Sequence, residues 1–443
     1  MYDDLTSAVE ADFPRARVSL ESLIRIPSVS AAGFDPAHVR ASAEATAALL
    51  TEAGAKDVQL LELGDAHPAV YGIVPGPDTA PTVLLYAHHD VQPPGPPEEW
   101  DTPPFEPVEI DGRLHGRGSE DDKAGVALHA AVIRAFGTTP PVTIKLFIEG
   151  EEEIGSSHLP AFLEAHADDL AADVIVIADS ANFDVGKPAL TTSLRGLVDC
   201  IVEVRTLEWA VHSGGFGGVA PDALTVLSRI IATLHDEQGN VAIEGLLSED
   251  SPLERTEAEF RELSGVLEGV ELMGSGSIPG RLWNKPAIAV LAIDAPPVGH
   301  AINQLVPVAR AKISLRIAPG DDPLAAMDKL VSHIDHAPAW GAEVAVTPGG
   351  TGDAFSLDAT GPAYDAFRIG MEAAYGTPAV EAGQGGSIPF VAAFQERYPA
   401  ASILLTGVAD PGGRAHGPNE SLSLADFKSG ILAEAIALQI LGG

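Results

Sequence analysis

Apolar residues in VRASAEATAALLTEAG, residues 39–54, recur at helical spacing, whereas PTVLLYA (81–87), PVTIKLFIEG (141–150) and DVIVIADS (173–180) are short apolar runs rich in β-branched residues. The first pattern predicts a helix and the other three predict buried strands. Between them DKAGVALHAAVIRAF (122–136) fits a buried helix. Strands and helices therefore interleave as in an α/β layered sheet. In such sheets ligands gather outside the carboxyl ends of the strands.

Beyond about residue 193 the pattern changes. LVDCIVEVR and the helical PDALTVLSRIIATLH are followed by AIAVLAI, ARAKISLRIAP, the helical DPLAAMDKLVSHIDHA and EVAVTP. This β-α-β-β-α-β order predicts a small split-sheet domain with its helices on one face. The polar stretch SPLERTEAEFRELSGVLEG interrupts it with a further helical pattern, and TPGGTGD (347–353) reads as a linker. PAYDAFRIGMEAAYG and SILLTGV then resume the α/β style. The expected organisation is a catalytic domain in two parts, 1–192 and 350–443, with a smaller domain, 193–349, inserted between them.

Composition narrows the class. At 443 residues the chain is long enough for two or more domains. Apolar residues make up 46%, and no uninterrupted apolar stretch approaches the roughly 18 to 20 residues of a membrane helix. A soluble globular protein without membrane association is expected. The N-terminal MYDDLTSAVEADFPRARVSLESLIRIPSVS starts with acids and reads as an amphipathic helix, where a signal peptide would show a basic start and an apolar block. A cytoplasmic setting follows as an expectation. The single cysteine, Cys200, sits in a strand-like run, which rules out an internal disulfide and a thiolate metal cluster. Acids outnumber bases 63 to 26, a formal net charge of -37 that repels nucleic acid phosphates and anionic lipid.

Most of those acids form a solvated surface, so only special placement marks any of them for chemistry. Five segments have it. In YAHHDVQPPG (86–95) side chains alternate faces, so His88 and Asp90 point one way and His89 the other. A ligating imidazole is commonly fixed through its other nitrogen by a carboxylate, a role Asp90 could fill, while His89 suits a structural one. RLHGRGSEDDKAG (113–125) sets Glu120, Asp121 and Asp122 before the buried helix. Its glycines lack the GK[ST] ending of a phosphate loop, and its acids would repel phosphate; one or two of them can instead cap the helix. FIEGEEEIGSSH (147–158) places Glu151, Glu152 and Glu153 after a strand, where a cation could neutralise one carboxylate while another acts as a general base. Asp179 ends the run DVIVIADS, and His416 lies in the Gly-rich GRAHGPNES. Carboxylate oxygens and two imidazoles without sulfur suit Zn, Mn or Co, and shared carboxylates permit two metals about 3.5–4 Å apart.

These motifs, in this order and over nearly the whole chain, closely resemble the co-catalytic metallopeptidase family that includes carnosinase-like dipeptidases, glutamate carboxypeptidases and acyl-amino-acid deacylases. HHDVQP, GRGSEDDKAG, EGEEEIGS, VHSGGFGG, GGSIP and AHGPNES carry the resemblance. It implies a zinc-exopeptidase-like catalytic domain, a mixed central sheet flanked by helices, with an inserted ferredoxin-like α+β domain for dimerisation and as a lid. It implies two divalent metal ions, zinc before manganese or cobalt. His88 and Asp179 would hold one, Glu153 and His416 the other, and Asp121 would bridge both. Asp90 would steady the His88 ring and Glu152 would be the general base, with Glu151 outside the pair. His212, in VHSGGFGG, would reach a substrate carbonyl across a homodimer, and Arg316 and Ser387 would hold the substrate's terminal carboxylate.

The activity so implied is metal-dependent hydrolysis of the amide bond of dipeptides or similar small peptides with a free C-terminal carboxylate. An N-acyl-amino-acid deacylase or desuccinylase on the same centre is the alternative enzyme. A non-catalytic acidic cation-binding protein is the alternative outside enzymes, but the chain has no D-x-[DN]-x-[DN]-G calcium loop.

Overall fold

The computed structural model describes residues 2–386 and 389–443. The chain forms two compact units, one comprising the described chain through Thr192 with Leu357–Ala382 and Pro389–Gly443, the other comprising Ser193–Ser356 with 383–386.

In the first unit the three apolar runs are strands of a mixed sheet. In order across it stand Lys56–Leu61, Ala69–Val74, Thr143–Glu149, Thr82–His88, Val174–Ile177, Ser402–Leu405 and Ala189–Leu194. The middle four are parallel to one another, and antiparallel strands flank them. Both faces are covered, which is why these strands are continuously apolar. Leu85, Ala87, Leu146 and Ile148 enter a core shared with the helices Asp3–Ile24, Pro36–Ala53, Lys123–Phe136, Pro362–Tyr375 and Leu424–Gly442. The intervening Tyr86 and Phe147 join an aromatic layer with Phe162, Phe390 and Phe394 from the helices Leu159–Ala165 and Pro389–Arg397; Tyr86 stacks on Phe390 at 4.8 Å between ring centroids.

Parallel pairing has one consequence that matters for chemistry. It brings the carboxyl ends of neighbouring strands to the same edge of the sheet, with His88 opposite Glu149 and Tyr86 opposite Ile177. The residues that follow each strand therefore meet there. The helix Lys123–Phe136 starts at the same place, capped by Asp122, whose carboxylate accepts the Gly125 amide at 3.1 Å.

The second unit has the order expected from its pattern: Gly196–Arg205, the helix Ala223–Ala232, Ala287–Asp294, Val308–Ile317, the helix Pro323–Asp335 and Glu343–Gly352. Its sheet runs Ala287–Asp294, Val308–Ile317, Gly196–Arg205, Glu343–Gly352, antiparallel throughout, a ferredoxin-like arrangement. Alternate residues of the two central strands, including Val198, Cys200, Val202, Ile313 and Leu315, pack against Val226, Leu227, Ile230, Leu330 and Ile334 of the helices.

Two details differ from the sequence reading. TPGGTGD is no linker: its first six residues belong to the strand Glu343–Gly352, which bulges between Pro348 and Thr351. Glycine is needed because a Cβ on Gly349 would come within 2.0 Å of the Asp199 carboxylate. The polar helical stretch shrinks to Glu257–Ser264, opened by a capping box between Thr256 and Glu259. Among the described residues no helix is long and apolar enough to cross a membrane.

Phe147 touches both Tyr86 and the outer aromatic helices, so Phe147→Ala should lower stability by about 3–5 kcal/mol. Urea unfolding followed by circular dichroism measures this, and an unchanged midpoint would contradict the packing described.

Candidate metal centre

At the shared edge of the parallel strands, His88, Asp121, Glu152, Glu153, Asp179 and His416 converge. Asp121 stands in the middle. Its Oδ1 lies 3.1 Å from His88 Nε2 and its Oδ2 lies 3.0 Å from His416 Nε2. On the first side, Glu152 and Asp179 each bring a carboxylate oxygen to 3.9 Å from His88 Nε2. On the other, Glu153 Oε2 is 3.2 Å from His416 Nε2. Ligand atoms of His88, Asp121 and Glu153 lie within 4.8 Å of one another, as do those of His88, Glu152 and Asp179, so either group could hold a metal ion. His416 is carried by a loop and has a left-handed backbone, φ 63°.

The electrostatics are those of a cluster short of positive charge. Burial, then the nearby Asp179, pushes the Glu152 carboxyl up to about 9, and burial followed by its acidic neighbours lifts Asp179 to about 7 although His88 opposes the shift. Glu153 is raised by burial and by Asp121. The His416 ring is raised to about 10 by its contacts with Asp121 and Glu153. Burial works against a charge on His88, but Asp121 and Asp90 outweigh it and hold the ring well above its usual value. Protons are thus retained on Glu152, Glu153 and Asp179, whereas at Asp121 burial is outweighed by the His416 and His88 rings, which hold it below the usual carboxylate range; a divalent cation would do the same neutralising without the protons. Oxygen and imidazole donors with no sulfur fit Zn, Mn or Co.

Asp90 does more than face His88. Its carboxylate accepts the Ser30 hydroxyl at 2.6 Å and the amides of Glu152 and Glu153 at 3.2 and 3.1 Å, so it fixes the turn that carries the Glu pair. His88 Nδ1 is 3.5 Å from that carboxylate and nearer, at 3.1 Å, to the Asp90 carbonyl oxygen.

The neighbours separate cleanly. Glu151 turns away from the cluster: its carboxylate accepts the His67 amide at 2.8 Å and contacts His158 Nδ1 at 2.7 Å. His89 is buried on the opposite side, with Nε2 2.9 Å from the Pro68 carbonyl, and burial lowers it to about 4, a neutral ring.

A group absent from the sequence reading holds the Asp121 loop. Buried Glu420 accepts the Gly118, Glu120 and Asp121 amides at 2.9, 3.0 and 3.3 Å and pairs with buried Arg117 at 2.6 Å. Arg117 also lies over the Trp100 ring and donates to the Gly417 carbonyl, tying the His416 loop to the same point. Glu420 sits in the motif AHGPNES, but its partners are some 300 residues away, and only the fold reveals them.

His212 and Arg316 belong to the second unit. His212 is exposed at the end of a two-residue strand, with Nδ1 accepting the Gly214 amide at 3.0 Å; Arg316 is the penultimate residue of Val308–Ile317. Ser387 lies outside the described residues.

Residues 84–439 match the model of peptidase family M20/M25/M40. The chain belongs to this family. It is accordingly a metallopeptidase. The chain is 38% identical over 389 residues to a cysteinylglycine-S-conjugate dipeptidase of Corynebacterium striatum, a match covering 85% of each. It is 28% identical over 387 residues to a human beta-Ala-His dipeptidase, covering 82% of this chain and 75% of the other. Among solved structures it is similar to the di-peptidase Dug1p from Saccharomyces cerevisiae, at 23% identity and a TM-score of 0.81 over 100% of this chain and 98% of that one. Human carnosine dipeptidase 1 gives 23% identity and a TM-score of 0.77 over 100% of both. At that identity the two structures bear on the fold, and they agree with the mixed sheet.

Glu420→Gln removes the counter-charge of a buried guanidinium and weakens the anchor of the Asp121 loop. It should cost the metal-free protein about 3–5 kcal/mol in urea unfolding. A midpoint equal to that of the unaltered protein would show that the pair does not hold the loop.

Proposed function

We propose that this chain hydrolyses the amide bond of dipeptides, or similar small peptides with a free C-terminal carboxylate, at a centre of two divalent cations, zinc before manganese or cobalt. The observation that carries the reading is the Asp121 carboxylate, with one oxygen toward His88 and the other toward His416. In this reading Asp121 is shared, His88 and Asp179 complete one set of donors, and Glu153 and His416 complete the other. The cations would supply an acidified water and a polarised substrate carbonyl.

The chain's own groups do the rest. Asp90 holds the His88 ring at its carbonyl oxygen and the Glu152–Glu153 turn at its carboxylate, so ligand and base keep their relative positions. Glu152 takes the proton from water as the water oxygen bonds to the carbonyl carbon, and returns it to the nitrogen as the carbon–nitrogen bond breaks. The Glu152 carboxyl is already held high by burial and Asp179, and a neighbouring cation would bring it toward the range where one group can both accept and donate near neutral pH. His212 would stabilise the carbonyl oxygen from the partner of a homodimer, and Arg316 and Ser387 would receive the terminal carboxylate. A dimer is supported by the strand Ala287–Asp294, which pairs on one side only among the described residues and exposes Val290, Leu291 and Ile293.

Dipeptides are preferred over N-acyl amino acids because the similar proteins named above are dipeptidases. Glu152→Gln should reduce kcat by about 10²–10⁴-fold while elemental analysis finds the same metal content. Activity near that of the unaltered protein, at equal metal loading, would remove Glu152 from its role. Cys-Gly and beta-Ala-His should be cleaved faster than N-acetyl or N-succinyl amino acids in a side-by-side assay, and the reverse order would favour the deacylase.

A further inference from the structure

The second unit contains two guanidiniums that no carboxylate pairs with among the described residues. Arg195 is 9% exposed and immediately precedes the strand Gly196–Arg205. Its only side-chain hydrogen bonds among the described residues are long ones, from Nε to the Gly385 carbonyl and from Nη1 to the Lys285 carbonyl, both 3.4 Å. Arg316 stands opposite Leu197 in the neighbouring strand, two positions from Arg195 in the register. The half-buried Arg316 has neither a hydrogen bond nor an ion pair among the described residues; burial alone lowers its pKa. Arg195 is lowered to about 10, first by burial and then by the charge of Arg316, with no acid contributing. The adjacent cation, Lys285, is already occupied by the Ser275 carbonyl at 2.7 Å and Asp250 at 3.6 Å.

Holding one guanidinium away from water without an anion is costly, and holding two side by side costs more. Such a pair is stable in company with a carboxylate, which each planar fork can grip through two N–H groups. Arg195 Nη2 has no partner among the described residues, and the glycine of GGSIP keeps the space beside it free: a Cβ on Gly385 would come within 2.9 Å of that nitrogen. The backbone also ties the two segments, since the Arg195 amide donates to the Gln384 carbonyl at 3.1 Å.

We propose that Arg195 acts with Arg316 as a two-guanidinium subsite for the free C-terminal carboxylate of the substrate, making Arg195 a determinant of exopeptidase specificity. This rests on the peptidase reading above and adds a residue to it. Arg195 does not take part in proton transfer, so its contribution falls on binding of the carboxylate and not on bond breaking.

The test compares Cys-Gly with its C-terminal amide on the metal-loaded protein, using Arg195→Met and, as the conservative change, Arg195→Lys. Loss of a hydrogen-bonded charge pair should raise KM for Cys-Gly on the order of 10- to 100-fold in Arg195→Met, with kcat changed less than about threefold. Arg195→Lys should recover part of the loss. Cleavage of the amide, which offers a neutral acceptor, should fall much less than cleavage of the acid in both variants, and circular dichroism checks that they are folded. Equal losses on acid and amide, or an unchanged KM for the acid, would overturn the assignment of Arg195 and leave the peptidase reading intact. Failure of the unaltered protein to cleave either compound would overturn the peptidase reading and this subsite with it.

Discussion

Like charges set the terms at this centre. Asp121, Glu152, Glu153 and Asp179 come together with two imidazoles at the end of a sheet buried on both faces, where water screens them poorly. Four ionised carboxylates at such separations repel strongly, and the shifts of Glu152 and Asp179 show the cluster retaining protons to relieve it. Metal affinity and the raised Glu152 carboxyl are therefore two expressions of one constraint: the fold forces acids together, and a cation relieves the repulsion.

The forcing is done by parallel strands and by a small set of buried polar anchors. Strand pairing brings His88, the segment after Glu149 and the segment after Ile177 to one edge. Asp90 then spends its carboxylate on Ser30 and the two amides of the Glu pair, and Glu420 spends its own on three amides of the Asp121 loop and on Arg117. Each anchor is satisfied by several hydrogen bonds, which is what makes a buried charge tolerable and its geometry definite. Among the described residues the Glu152 and Asp179 carboxylates have no hydrogen bond, only 3.9 Å approaches to His88, and that contrast separates them from Asp90 and Glu420 more sharply than residue type does.

Much of this was legible before any coordinates. Apolar runs of limited length predicted strands, and acids placed just beyond them or at a helix start predicted a site, because such positions repeat a simple geometric rule. The assignment of Glu152 and Glu153 came from the family resemblance; the partners of Glu151, His67 and His158, are visible only in the fold. Glu420 was hidden because its role lies in pairing with a loop far off in sequence, and Ser30 for the same reason. TPGGTGD misled because glycine and proline usually punctuate a chain, whereas here a bulged strand needs glycine to pass the Asp199 side chain. Arg195 gave no signal, since a lone arginine before a strand is ordinary until its burial, and the lack of an anionic partner among the described residues, become visible.

Anomalous diffraction from a crystal of the protein grown with zinc is the most direct test of the central claim that Asp121 is shared between two cations. Two peaks flanking the Asp121 carboxylate, one beside His88 and Asp179 and the other beside Glu153 and His416, are the predicted result. A single peak, or zinc bound elsewhere with these five side chains unengaged, would contradict the account.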